Sequence, residues 1–389
     1  MHKPAWLIYD TLYYDYRLAE YRISQNLYAF RYFFLRRFDK EFYRNYRQVV
    51  KPFWKEYGVR PPLYWIKHCY SISHSLDPRC IPRGIWFGRI LPYFNSPFYT
   101  RQLRDKNLYH LLFRDTKRPE TIYKFLYGEY CRDDLTHLEK DEAFSLCLLD
   151  GDYIIKPSVD SFEGNGIQRF RSTDGPKAIM ALLEGYTATP HIVQRVVVQH
   201  PALAAFNPSS FNTIRLVTLV LNGKVHILSS ILRIGAEGNV VDNVSKGGYQ
   251  CTIRPDGTLE NLAYTSVGEH FVYAQNRGQS MYVEQTHTGA RFEGFRVPSW
   301  ERILETARSL ALRLPYMKLI GWDLGVDENG EVVLIEFNTD PEQNESTCGP
   351  SFGEITDEVL TEVFLKNRSH SVLSRLFPAY FPTADGTTP

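Results

Sequence analysis

Two runs rich in apolar residues, 319–326 and 332–338, flank the pair Asn329-Gly330 near the C-terminal end of the chain. An Asn-Gly pair between two such runs is the strongest short-range signal of a β-hairpin with a two-residue loop. The pattern therefore predicts two antiparallel strands that turn at Asn329 and Gly330.

The register of this hairpin decides which side chains share a face. If Glu328 faces Glu331 across a two-residue loop, Asp323 lies directly opposite Glu336. Side chains alternate between the two faces of a strand, so Asn338 projects to the same side as Glu336. The opposite face is expected to pack Val333, Ile335 and Phe337.

Apolar periodicity and turn residues predict interleaved helices and strands through the middle of the chain. We expect an α+β fold with mostly antiparallel sheets. The expected strands are residues 153–156 and 191–198 and a hairpin of 213–220 and 225–233 around Asn222-Gly223; the expected helices are 105–113, 173–185 and one that Ser299 caps and that runs to about residue 314.

The first hundred residues differ from the rest in composition. Residues 12–50 contain no Gly or Pro and mix aromatic with basic side chains, which predicts one or two amphipathic helices. Residues 58–100 contain many prolines and are expected to form a loop-rich connector. These contrasts predict a mainly helical, aromatic-rich N-terminal domain (1–104), a main domain (105–365) and a frayed C-terminal tail (366–389).

Composition and charge exclude several functional classes. The 389-residue chain has a net charge of +1, which excludes a strongly basic nucleic-acid binder, so we expect no nucleic-acid partner. Its 6 cysteines contain no Cys-x-x-Cys pair, which indicates reduced thiols rather than a disulfide framework or a zinc site. The sequence shows no signal-peptide pattern and no membrane-spanning run, so we expect a cytoplasmic protein.

Residues 1–60 carry 12 Lys and Arg against 6 Asp and Glu. Such a basic and aromatic surface could contact the inner face of the membrane or an anionic polymer. The alternative is that the aromatic side chains pack in a core, while basic residues such as Arg36 and Arg37 only face the solvent.

The face of the C-terminal hairpin that carries Asp323, Glu336 and Asn338 is a candidate metal site. Like charges that face each other on a sheet repel unless something positive lies between them. Two carboxylates and an amide oxygen are hard ligands, and this set suits Mg²⁺ held together with substrate phosphates. The alternative is a solvated acidic hairpin.

A candidate phosphate-binding loop follows an expected strand in the middle of the chain. That strand ends at Lys156, and the next residues include Ser158, Ser161, Gly164 and Gly166. Loop glycines let backbone N–H groups converge on a phosphate, and a lysine adds positive charge. The alternative is an ordinary turn whose lysine faces the solvent.

Further cations lie on the central hairpin and shortly after it. Arg215 and Arg233 are on neighbouring expected strands, and Lys246 precedes a Gly-Gly pair. An arginine buried in a strand needs an anion, so these residues are candidates for anion binding. The alternative is that each arginine faces water at a sheet edge.

Taken in this order, the motifs resemble the ATP-grasp superfamily over roughly residues 105–350. Residues 208–218, then 232–235 and Asp242-Asn243, resemble the sugar-transfer-associated group found in polysaccharide biosynthesis. Glutamate-ligase-type enzymes of the superfamily are more distantly similar. The resemblance implies the ATP-grasp fold, in which two α+β subdomains grip the nucleotide, with a lid subdomain at about residues 150–196.

The resemblance also implies ATP and Mg²⁺ as cofactors, with two ions expected, and a role for each candidate residue. Gln194-Arg195 departs from the family, where an acidic residue is common, as do Phe162 and Glu163, where glycines are usual. Lys106, Lys156, Ser158, Ser161, Gly164 and Gly166 would bind the nucleotide phosphates; Gln194, Arg195 and Val197 would form the hinge that contacts adenine; Arg215, Arg233 and Lys246 would be the catalytic cations; and Asp323, Glu336 and Asn338 would hold magnesium.

The activity implied by the resemblance is ATP-dependent carboxylate–amine ligation through an acyl phosphate. The expected partners are a small-molecule or saccharide acid and an amine, such as an acidic sugar and an amino acid. An alternative is an ATP-grasp kinase that phosphorylates a hydroxyl. A third alternative is a glycosyltransferase, because Asp150-Gly-Asp152 matches the Asp-x-Asp metal motif.

Overall fold

A computed structural model describes most of the chain after residue 39. The predictions for Arg36, Arg37, Ser161 and the tail from residue 367 lie outside the described residues. Those described are 40–73, 75–96, 99–100, 103–159, 164–242, 244–265 and 282–366, together with isolated positions between 12 and 38.

The N-terminal part of the described chain is helical. No helix among the described residues combines the length and the apolar character needed to cross a membrane. The helices are α1 (Lys40–Asn45, Tyr46–Val50 and Lys51–Glu56 in direct succession), α2 (Leu63–Ser73), α3 (Arg83–Ile85, Trp86–Ile90 and Leu91–Phe94 in direct succession) and α4 (Lys106–Leu108 and Tyr109–Leu112).

The expectation of a loop-rich connector over residues 58–100 is wrong for residues 63–73 and 83–94, which are helical, because Pro62, Pro82 and Pro92 lie where a helix tolerates proline. Pro62 directly precedes α2 and Pro82 directly precedes α3, where a missing N–H costs no helical hydrogen bond. Within α3, the turn before Pro92 is widened, so that Leu91 donates to the carbonyl of Trp86. A wider turn accommodates a residue that has no N–H to donate.

The smaller sheet is antiparallel throughout and has the strand order β3-β2-β1-β6-β4-β5. It begins at Thr121, so the expected lid of residues 150–196 contains only its last three strands. Phe144 of α5 and Leu183 of α6 are buried against it. Its elements are β1 (Thr121–Leu126), β2 (Glu129–Cys131), β3 (His137–Leu138), α5 (Lys140–Leu146), β4 (Asp152–Pro157), β5 (Gln168–Arg171), α6 (Pro176–Glu184) and β6 (His191–Arg195).

The larger sheet is also antiparallel, in the order β11-β10-β9-β8-β7-β12-β13. Its β7–β8 hairpin turns at Asn222 and Gly223, as predicted, with Leu221 paired to Lys224. The elements are α7 (Pro201–Ala204), β7 (Thr213–Leu221), β8 (Lys224–Ile234), β9 (Tyr249–Thr252), β10 (Ala263–Thr265), β11 (Tyr282–Val283), α8 (Trp300–Leu312), β12 (Leu319–Val326), β13 (Val332–Asn338), α9 (Glu345–Cys348) and α10 (Thr356–Leu360 and Thr361–Lys366).

Alternate residues of β7 enter different cores on the two faces of the larger sheet. Ile214 and Leu216 pack with the apolar side of α8. Val217 and Leu219 pack with α1, α3 and α10. The N-terminal helices therefore share a hydrophobic core with the larger sheet.

The β12–β13 hairpin has a three-residue loop where the sequence predicts a two-residue loop. Asp327 donates its N–H to the carbonyl of Glu331 at 3.0 Å, and Gly330 donates to the carbonyl of Asp327 at 2.9 Å. Gly330 has a φ of +77°, the left-handed conformation that such a loop requires of its last residue.

A bulge in β13 compensates for the longer loop. Leu324 faces Leu334, but Asp323 faces Glu336, so Ile335 is the extra residue. The facing of Asp323 and Glu336 is therefore as predicted. Because the bulge interrupts the alternation of faces, Leu334 and Phe337 both enter the core, whereas Ile335 is half-buried, contrary to the expectation for Ile335.

The sequence predicts that the side chain of Ser299 caps α8, and this prediction is wrong. Ser299 lies directly before α8, but its side chain makes no capping hydrogen bond to the helix. Its hydroxyl instead donates to the carbonyl of Gly330 at 2.6 Å. This bond ties the start of α8 to the loop of the β12–β13 hairpin.

Candidate functional site

A buried ion-pair cluster lies where β7, β8 and β12 run side by side. Arg215 donates through Nε to Oδ1 of Asp323 and through Nη2 to Oδ2, the latter at 2.7 Å. Nη1 of Arg233 lies 3.5 Å from Oδ2 of the same carboxylate, and its Nη2 lies 3.2 Å from Oδ1 of Asp242. Two arginines thus neutralise two carboxylates. We call these four residues the central cluster.

Burial and the contacts within the central cluster shift the pKa values of its members. Burial alone would raise the pKa of Asp323, but Arg215 and Arg233 hold that pKa below its ordinary value. Burial raises the pKa of Asp242 in spite of Arg233. Burial alone would lower the pKa of Arg215, but Asp323 raises it above its ordinary value. Arg215 therefore remains a fixed positive charge beside Asp323.

Glu336 and Asn338, at the end of β13, flank this cluster. Nζ of Lys106, from the first turn of α4, lies 2.9 Å from Oε1 of Glu336. Asn338 points its Nδ2 at Oδ2 of Asp323, 3.4 Å away. The three residues predicted to hold magnesium therefore lie together at one edge of the larger sheet, and Lys106, Arg215 and Arg233 contact their carboxylates.

The chemistry of these donors fits a magnesium ion. Glu336 is partly exposed, at 28%, and carries a carboxylate that no arginine binds within the described chain. The amide oxygen of Asn338 is a second hard donor. Asp323 is different, because both of its oxygens contact arginines. Glu336 and Asn338 are therefore the donors best placed to hold a metal, and Asp323 would first have to exchange an arginine contact.

Lys156, on β4 of the smaller sheet, and Ser158, directly after β4, lie near Lys106 and Glu336. Burial lowers the pKa of Lys156 to about 8, assisted by the positive charge of Lys106 and opposed by Glu336. The backbone N–H of Lys106 donates to the carbonyl of Ser158 at 2.9 Å. The Ser158 hydroxyl is fully buried and has no hydrogen-bond partner in the described chain. A buried hydroxyl without a partner is a natural donor for a ligand.

The low pKa of Lys156 leads to a pH-dependent prediction. The affinity for ATP should fall as pH rises above about 8, because Lys156 then loses its positive charge. Phosphates favour the protonated lysine, so nucleotide binding near pH 8 should take up protons. Calorimetry in two buffers of different ionisation enthalpy would measure this uptake. A Lys156→Arg variant stays charged, so its proton uptake should vanish; persistent uptake would assign the effect to another group.

Gly164 and Gly166 return the chain from the candidate phosphate loop to β5. Both have left-handed φ values, +70° and +73°. A Cβ at Gly166 would lie 2.9 Å from Cγ of Pro157, and the carbonyl of Gly166 accepts from Tyr186 at 2.7 Å. Glycine is therefore required at this end of the loop by conformation and by space.

The expected hinge joins β6 to the larger sheet, and its side chains are engaged within the protein. Gln194 donates to the carbonyl of Pro119 at 3.5 Å, and Nε of Arg195 lies 2.8 Å from Oε2 of Glu120. Val197 differs, because its backbone N–H and carbonyl have no hydrogen-bond partner in the described chain. An adenine contact through the hinge would therefore use the backbone of Val197.

Among the described residues, no ion pair joins Lys246 or Asp152 to the central cluster. Lys246 ends the short turn Val244–Lys246, its side chain is exposed, and no ion pair of the described residues includes it. Arg169 binds both carboxylate oxygens of Asp152, through Nε at 2.8 and 3.0 Å. A carboxylate that an arginine holds in this way is a poor metal ligand, which argues against the glycosyltransferase alternative.

Asp242 is the site residue to which the sequence analysis assigned no role. It appeared there only as part of a family pattern, yet it binds Arg233 and accepts a hydrogen bond from Thr213. The chemistry of the sequence could have indicated this role, because two buried arginines require two anions and Asp323 supplies only one.

Two antiparallel sheets and a set of buried cations beside an acidic hairpin form a candidate site for a polyanionic ligand. The model of the sugar-transfer associated ATP-grasp family matches residues 91–347. The chain belongs to this family, which confirms the resemblance and the α+β ATP-grasp fold expected from the sequence. Membership also supports an ATP-dependent enzyme of the ligase type.

Two solved structures illustrate a distant likeness. The L-amino acid ligase from Bacillus licheniformis is 14% identical, with a TM-score of 0.36; the match covers 69% of this chain and 50% of that protein. D-alanyl-alanine synthetase A from Vibrio cholerae is 15% identical, with a TM-score of 0.38, and 71% and 66% of the two chains are covered. The chain thus spans about half the length of the first of these. No curated protein is significantly similar in sequence.

Proposed function

We propose that the protein is an ATP-dependent carboxylate–amine ligase that activates its acid as an acyl phosphate. The observation that carries the proposal is the arrangement of Arg215 and Arg233 around Asp323, beside the Lys106–Glu336 pair. Fixed cations next to hard oxygen donors suit the transfer of a phosphoryl group, in which negative charge spreads over the transferred oxygens.

The proposed reaction has two steps. A carboxylate oxygen of the substrate attacks the γ-phosphorus, the bond to the β-phosphate oxygen breaks, and ADP leaves. The nitrogen lone pair of an amine then attacks the carbonyl carbon, inorganic phosphate leaves, and the nitrogen loses a proton. In this scheme Lys156 and Ser158 bind phosphate oxygens, whereas Arg215 and Arg233 stabilise the charge on the transferring group.

Magnesium has a limited part in this proposal. Glu336 and Asn338 would hold it, with Asp323 joining if it releases an arginine, and the ion would neutralise charge on the β- and γ-phosphates. Lys106 would keep the Glu336 carboxylate in place until the ion arrives. The number of ions stays a prediction.

The substrate class follows from the family's association with sugar transfer. We propose an acidic sugar or a related precursor of a cell-surface polysaccharide as the acid, an amino acid or another amine as the nucleophile, and the cytoplasm as the location. Contact of residues 1–60 with the inner face of the membrane or with an anionic polymer remains a prediction, as does catalysis by Lys246.

A hydroxylamine trap tests the proposed chemistry. The purified chain would be incubated with Mg·ATP, hydroxylamine and a panel of uronic acids, amino acids and matched sugar alcohols. We expect a hydroxamate and ADP with at least one acid and no turnover with the alcohols. ADP formation that requires an alcohol, without hydroxamate, would instead establish the kinase alternative.

Lys156 and Arg233 should differ in the step that they support. Lys156→Met should weaken ATP binding, since the lysine meets phosphates in the ground state, while Arg233→Ala should chiefly lower kcat, by about 100-fold or more. Calorimetry and steady-state kinetics would separate the two effects. Arg254→Ala, which removes an exposed arginine that pairs with Glu260 in the segment after β9, is the control. Equal losses of ATP affinity in both variants would contradict this division.

A further inference from the structure

Three buried side chains from two distant parts of the sequence converge outside the proposed active site. Cys69 lies on α2, Cys80 on the loop before α3, and Glu345 at the start of α9. Their ligand atoms all lie within 4.8 Å of one another. Sγ of Cys69 is 3.7 Å from Oε2 of Glu345, although 276 residues separate the two in sequence.

The two oxygens of Glu345 have different surroundings. Oε1 accepts hydrogen bonds from the N–H of Ile81 at 2.9 Å and from the N–H and hydroxyl of Ser351 at 3.0 and 2.6 Å. These donors fix the carboxylate and turn Oε2 toward Cys69. All of these partners are neutral, and no ion pair within the described part of the chain includes Glu345. A buried carboxylate in this position needs a proton or a cation.

We propose that Cys69, Cys80 and Glu345 form a binding site for a thiolate-preferring divalent metal such as zinc. Tetrahedral zinc with bonds of about 2.3 Å to sulfur and about 2.0 Å to oxygen places a sulfur and an oxygen ligand about 3.5 Å apart, and two sulfur ligands about 3.8 Å apart. The observed separation of 3.7 Å between Sγ of Cys69 and Oε2 of Glu345 is close to the first value, and the upper limit of 4.8 Å on the separations of all three ligand atoms is compatible with the second. Each thiol loses its proton on binding, and a water molecule completes the fourth position.

This site differs from the magnesium site in its ligands and in its place in the fold. Thiolates select zinc-like ions, whereas the oxygens of Glu336 and Asn338 suit magnesium. The site would join α2 and the start of α3 to the segment that follows β13. A metal there would therefore fasten the N-terminal helices to the chain that carries Glu336 and Asn338. The sequence spacing gave no zinc signal because the fold, and not a local motif, assembles the ligands.

Elemental analysis and cobalt substitution of the full chain test the proposal. We expect about one zinc ion per chain after purification with zinc. Cobalt added to the chelator-treated protein should give thiolate-to-metal absorption in the near ultraviolet. Cys69→Ser, Cys80→Ser and Glu345→Gln should each lose most of this absorption. Cys147→Ser, which removes another buried thiol, should keep it, as should Glu336→Gln at the magnesium site.

Glu345→Gln also separates a metal site from a hydrogen-bonded cluster, because glutamine can still accept from Ile81 and Ser351. Zinc should raise the Tm of the wild-type protein by several degrees and leave that of Glu345→Gln unchanged. Three results would overturn the proposal: no zinc and no cobalt absorption in a folded wild-type protein, unchanged absorption in both serine variants, or a Cys69–Cys80 disulfide in the mass spectrum of the unreduced protein.

Discussion

Glu336→Gln should lower the affinity for Mg·ATP by about 100-fold or more, a loss at least as large as that typical of removing a group that only orients a metal ligand. The substitution keeps the size of the side chain and removes its charge. Of the two carboxylates predicted to hold magnesium, Glu336 is the one that contacts a lysine and no arginine in the described chain. It can therefore exchange its partner for a metal ion at the smaller cost in free energy. Calorimetric titration with ATP in excess magnesium would measure the loss.

The same titration in EDTA separates metal binding from nucleotide binding. Without magnesium, Glu336→Gln should bind ATP at least as well as the wild type, because a negative charge that faces the phosphates is gone. Glu331→Gln is the matched control. It removes an exposed carboxylate from the same hairpin, and this carboxylate pairs with Lys117. If Mg·ATP bound equally well to Glu336→Gln and to the wild type, the hairpin edge would not be the metal site.

Local pattern was sufficient to predict the parts of this site that one hairpin contains. Asn222-Gly223 and Asn329-Gly330 both mark hairpins, and Asp323 does face Glu336. The sequence did not predict the three-residue loop or the bulge at Ile335. The extra loop residue and the extra strand residue cancel in the register, so Asp323 faces Glu336 with or without them. The bulge shows in the packing, because Leu334 and Phe337 both enter one core although they are three residues apart.

Contacts between distant segments could not be predicted in the same way. The pairing of β7 with β12 places Arg215 beside Asp323, and neither strand carries a local signal for that partner. The position of Lys106 next to Glu336 likewise depends on how α4 lies between the two sheets. For these residues the family resemblance supplied roles that spacing alone did not.

Arg215→Met should destabilise the fold by about 3–5 kcal/mol, the typical cost of removing one partner from a buried ion pair. In the central cluster, Arg215 and Arg233 balance Asp323 and Asp242. Without Arg215, one buried negative charge is uncompensated. Chemical denaturation of the variant, with an unchanged m-value, would measure the loss as a shift of the midpoint.

The double variant Arg215→Met with Asp323→Leu separates folding from catalysis. It leaves Arg233 paired with Asp242 at 3.2 Å, so the cluster is again neutral, and most of the lost stability should return because apolar replacements of a buried ion pair are often nearly neutral. Activity should not return, since a catalytic cation and a hairpin carboxylate are both absent. Arg254→Met with Glu260→Leu, an exposed pair in the segment after β9, should change stability little. A double variant as unstable as Arg215→Met alone would show that the arginine stabilises the fold by packing, and a fully active double variant would remove both residues from the proposed mechanism.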